Sequence, residues 1–115
     1  MRLINLTPHA INVLCADGSA AVIPSTAPPA RCEESRADFG TMTDDAGRVI
    51  RIIELRRGQV YDLPPVAPHT RYIVSALVAL AKPNRNDLLV VDEIVRNGNR
   101  QVIGCRALAY LAAGN

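Results

Sequence analysis

Two short stretches carry the side chains best suited to chemistry. The first is Thr7-Pro8-His9, set between the apolar runs Ile4–Leu6 and Ala10–Val13. An imidazole exchanges a proton near neutral pH, and a neighbouring hydroxyl can hydrogen-bond a ligand. The second is "KPNRND", Lys82 to Asp87, with three charged and two amide side chains in six residues. There Arg85 can clamp an anionic group through its planar fork, while Asp87 holds Arg85 or accepts from a hydroxyl. The plainer readings are a histidine bonded to a backbone carbonyl and an Arg85–Asp87 salt bridge on a solvated loop.

Other chemistry is poorly supported. The chain has no glycine-rich phosphate loop, no H-E-x-x-H, no G-x-S-x-G and no CxxC. Cys15, Cys32 and Cys105 are odd in number and widely spaced, which fits free thiols better than disulfides or zinc. A Cys–His nucleophile would need a base and an orienting group that nothing local provides. The sequence therefore implies no cofactor and no metal. Twelve of the 13 basic residues are arginine, against 11 acidic residues and a net charge of +2. Arg31, Arg36, Arg51, Arg71 and Arg106 lie along expected strands, and several pointing into one barrel mouth would make an anion site. This balance argues against nucleic acid as a partner, and aromatic residues for base stacking are scarce.

The elements that must position these residues are short strands. Pro8 has no amide hydrogen to give a ladder and pushes Thr7 into extended backbone. The chain should bend there and pass from one part of a sheet to another, with His9 at the corner. Ile11–Cys15 and "AAVIP" read as a hairpin about "ADGS", where Asp-Gly tolerates positive φ. "PSTAPPA" (24–30) is an extended loop. "RCEESRADFGTM" suits an edge strand blunted by charge. After the turn at 44–47, "RVIRIIEL" alternates clearly: Val49, Arg51, Ile53 and Leu55 face one way, Ile50, Ile52 and Glu54 the other. Both faces are largely apolar, which predicts a strand covered on two sides for part of its length. Arg57-Gly58 should end it, leaving "QVYDLP" as a separate strand.

After the proline-rich "PPVAPH", Tyr72–Val74 reads as strand and Ser75 as the cap of a short helix, Ala76–Lys82, stopped by Pro83. "LLVVDEIVR" and "RQVIGCRAL" close the chain as a hairpin on Asn97-Gly98. Gly104, in mid-strand, marks a bulge or the close approach of another group. The whole predicts one β-rich domain over 1–115, mainly β with a minor helical part. It should be a small β-barrel or sandwich of seven to eight short strands with one short helix plugging an end. No membrane-length apolar run and no signal peptide is visible, so the expected location is the cytoplasm.

"INLTPHAINV", "RYIVSALVALAKPNRNDLL" and "GCRAL" together resemble a family of small bacteriophage and prophage proteins, with NLTPHAI the most specific part. Where that family carries glycine, this chain has His69 before Thr70. The resemblance implies a phage accessory protein in the bacterial cytoplasm. The leading expectation is a homo-oligomeric, non-enzymatic protein of anti-defence type that sequesters a small anionic ligand such as a nucleotide second messenger. Its ligand-binding residues would be Thr7, His9, Arg85 and Asp87. The rivals are a protein–protein inhibitor of a host enzyme, a small hydrolase using His9, and a virion component.

Overall fold

The computed structural model describes residues 1–25 and 28–112. Of the proline-rich stretch 24–30, residues 26 and 27 lie outside them. Eight strands and one helix follow in the order β1 (Arg2–Asn5), β2 (Ile11–Leu14), β3 (Ala20–Ile23), β4 (Arg31–Thr43), β5 (Val49–Tyr61), β6 (Thr70–Ile73), α1 (Ala76–Ala81), β7 (Leu88–Arg96) and β8 (Val102–Ala109). The fold is mainly β, as the turn spacing predicts. Six strands form one sheet in the order β1-β6-β7-β8-β2-β3, and β4-β5 stand apart as a two-stranded arm. A single bridge between Asn5 and Ser25 brings the two ends of the large sheet together, so it is barrel-like and nearly closed.

Strand β6 sits between the parallel neighbours β1 and β7 and is buried on both faces. Tyr72 and Val74 join Leu6, Ala30, Leu88 and Val90 in one cluster, while Ile73 meets Ile11 and Cys105 in another on the opposite side. Helix α1 covers the first cluster. Six residues cannot hold a helix in water, so burial of Val78 and Ala79 sustains it. The Ser75 hydroxyl accepts from the Val78 amide at 3.3 Å and supplies the N-cap, and Lys82 is the C-cap.

Three local expectations change. Strand β5 is not covered on two sides: it pairs with β4 alone, and Ile50, Ile53 and Leu55 are exposed. Gly58 does not end a strand: β5 runs through it to Tyr61. A Cβ on Gly58 would lie 3.2 Å from that of Glu33, beside the register shift between Cys32 and Glu34, so the glycine eases an irregular pairing. The last hairpin is likewise not a two-residue Asn-Gly turn. Asn97 Oδ1 accepts from the amides of Asn99 and Gln101, and Arg100, not Gly98, takes the positive φ. The side chain of Asn97 builds a longer loop than its dipeptide signal implies.

Gly104 behaves as expected. A Cβ there would come within 2.9 Å of the Asn12 carbonyl, where β8 runs alongside β2. His69 has φ +52, a left-handed backbone that glycine adopts without strain.

Candidate functional site

The proline corner is organised by Asn5, which is 1% exposed. Its Nδ2 donates to the His9 carbonyl at 2.8 Å and the Ile23 carbonyl at 3.0 Å. Its Oδ1 accepts from the Thr7 amide at 2.9 Å and the Thr7 hydroxyl at 2.6 Å. The Ser25 hydroxyl donates to the Thr7 carbonyl at 2.6 Å. One buried amide thus ties the end of β1 to the end of β3 and shapes the turn between them. The corner interrupts the strand because the chain there crosses from one end of the barrel seam to the other. Thr7 spends its proton inside the turn, and it is the His9 carbonyl, not its ring, that the turn uses. The imidazole stands exposed at a cleft of about 320 Å³, lined mainly by apolar residues of β2, β7 and β8.

Cys105 also borders that cleft but is 1% exposed. Burial pushes its thiol pKa up, which keeps it protonated and a poor nucleophile. Among the described residues, no side chain hydrogen-bonds and orients the His9 ring, and no group of three or more His, Cys, Asp or Glu could hold a metal ion.

Arg85 and Asp87 lie where the chain turns from α1 into β7. Arg85 Nε donates to Asp87 Oδ1 and its Nη2 to Oδ2, both at 2.8 Å, a two-pronged fork. Nη2 also reaches the Pro64 carbonyl at 3.0 Å, and the Tyr72 hydroxyl donates to that of Pro65 at 3.2 Å. Asp87 is 1% exposed. The Arg85 hydrogen bonds hold its carboxyl below the usual range against the opposing effect of burial, and the same pair raises the Arg85 pKa. With both oxygens engaged, Asp87 acts as the holder of Arg85 and as a clamp on the second proline loop.

Arg85 still borders a cleft of about 500 Å³ with Arg71, Asn86 and Tyr110. Arg71 Nε donates to the Tyr110 hydroxyl at 2.7 Å and its Nη1 to the Thr70 carbonyl at 3.0 Å. The positive charge of Arg71 also helps lower the Asp87 pKa. Thr7 and His9 on one side, and Arg85 on the other, therefore line separate clefts of a single chain. Tyr110, well after β7, has no local signal to pair it with Arg71; only the sheet order brings them together.

No family model matches the chain, and neither does any curated protein or solved structure. No helix among the described residues is long and apolar enough to cross a membrane.

Proposed function

We propose that the chain is a binding protein that captures a small anionic, nucleotide-like ligand in the cleft between Arg71 and Arg85 without turning it over. The observation that carries this reading is a charge imbalance. Two guanidinium groups border the cleft, while among the described residues the carboxylate beside them, Asp87, is buried and fully engaged with Arg85. An anion entering the cleft restores neutrality. Arg85, held by Asp87, offers a fixed donor face that needs no reordering on binding. Tyr110 is 57% exposed and presents a ring beside Arg71, which suits a base next to a phosphate. In the phage setting that the sequence resemblance implies, such capture would withdraw a nucleotide signal from host defence.

Calorimetry against a panel of cyclic nucleotides and nucleotide–ribose compounds tests the reading. At least one compound should bind, and Arg71→Gln should weaken it roughly tenfold or more, the loss of a charge-assisted contact. Absence of heat with every compound, or binding unchanged in Arg71→Gln, would remove this function.

A further inference from the structure

The fold leaves the pair Asn97-Gly98 without a structural purpose. It does not make the two-residue turn that its dipeptide signals, and the glycine is not needed for shape. Arg100 takes the positive φ of the loop. The φ of Gly98 lies outside the left-handed region, and a Cβ there would meet nothing within 4 Å. What glycine does at 98 is leave its own amide nitrogen open beside the Asn97 side chain.

The surroundings of that nitrogen suit a reaction. Asn97 Oδ1 accepts from the Asn99 amide at 2.9 Å and the Gln101 amide at 3.0 Å. Two backbone N–H groups on one carboxamide oxygen draw electrons from Cγ and are placed to hold negative charge on that oxygen. Asn97 Nδ2 donates to Gln101 Oε1 at 3.0 Å, which fixes the amide so that Oδ1 keeps facing its donors. Among the described residues nothing accepts from the Gly98 N–H, so removing its proton breaks no hydrogen bond. The loop from Arg96 to Gln101 carries two arginines and no acid. Neither Arg96 nor Arg100 has an ion-pair partner among the described residues. Arg96 Nη1 donates to the Arg100 carbonyl at 3.1 Å, which holds its charge over the loop. Nearby cations favour both a deprotonated amide and an anionic oxygen.

We propose that Asn97 is a site of spontaneous covalent modification, deamidation through its own backbone. Hydroxide takes the Gly98 amide proton, and the nitrogen forms a bond to Asn97 Cγ while the charge passes to Oδ1. Collapse of that intermediate breaks the Cγ–Nδ2 bond, and water supplies the proton with which the nitrogen leaves as ammonia. The succinimide ring then takes up one water and opens at either carbonyl, to aspartate or isoaspartate. One water enters and one ammonia leaves, with no oxidant or cofactor. The new carboxylate lies between two guanidinium groups that lacked an anion. Isoaspartate also adds one atom to the main chain. The β7–β8 pairing already shifts between Val95 and Arg96, so the extra atom falls where the ladder is irregular and the pair Ile94–Cys105 is undisturbed. The other described asparagines precede Leu6, Val13, Arg85, Asp87 and Arg100, whose side chains crowd the same attack.

Incubation of the full chain at mildly alkaline pH, read by intact mass and peptide fragmentation, tests the site. A carboxyl should appear at Asn97 before any other asparagine, as two separable isomers, one of them a substrate for isoaspartyl methylation. The rate should rise with hydroxide concentration. Gly98→Ala, which the backbone accepts without strain, should slow it about tenfold or more, a barrier higher by about 1.4 kcal/mol. Asn97 left intact over a period that converts it in urea would overturn the proposal, because the folded turn would then protect it. Equal rates in wild type and Gly98→Ala would overturn it as well.

Discussion

The barrel and the arm use similar strands to opposite effect. In the barrel, Tyr72 and Ile73 of β6 and Val74 just after it are buried on alternate sides, and neighbouring elements supply the cover. In the arm, β5 has Ile50, Ile53 and Leu55 on both sides and leaves all three exposed. A two-stranded ribbon is marginally stable by itself in water. The contrast teaches that an apolar strand states a need for cover without stating where it comes from. The barrel meets that need within the chain; the arm does not.

The largest effect that would sharpen this contrast is electrostatic. Removing the Asp87 side chain leaves the Arg85 charge half-buried and releases the proline loop at Pro64. Asp87→Ala should lower unfolding free energy by roughly 3–5 kcal/mol, measured by urea titration. Arg51→Ala in the arm loses only an exposed pair with Asp38 at 3.9 Å and should leave the midpoint unmoved. The sign with pH follows from the lowered Asp87 pKa. The contribution of the pair is complete above the unfolded carboxyl value of about 4 and is lost as pH falls through the lower folded value. Stability should therefore drop below about pH 4, and less steeply in Asp87→Asn. Equal sensitivity of the two proteins in that window would break the account.

A smaller effect tests the seam between β2 and β8. Gly104→Ala places a methyl group 2.9 Å from the Asn12 carbonyl, a backbone atom that cannot swing aside. It should destabilise by about 1–3 kcal/mol in the same titration. A neutral result would mean that β8 can shift away from β2 at no cost.

Much of the barrel is legible in the sequence because its signals are local. Asp17-Gly18 turns a hairpin, Ser75 caps the helix, and Pro8 breaks a ladder at the place where the chain crosses the seam. Asn5 is less visible. An asparagine at a strand end looks like a solvent residue until four hydrogen bonds show it as the organiser of the corner. The candidate site is legible only in pieces. Arg85 and Asp87 do meet, as their spacing allows, but Arg71 and Tyr110 join that cleft through parallel and antiparallel pairings that no local pattern encodes. The arm misleads for a related reason: periodicity gives the faces of β5 and carries no information on whether the rest of the chain reaches them.

Amide hydrogen exchange is the most direct test of the contrast between a barrel covered by its own chain and an arm whose two strands pair with each other alone. In dilute protein, amides of Tyr72–Val74 and Leu88–Val90 should exchange only with global unfolding, while those of Phe39–Thr43 and Val49–Ile53 should exchange far faster through local opening. Arm amides as strongly protected as those of β6 and β7 would contradict it.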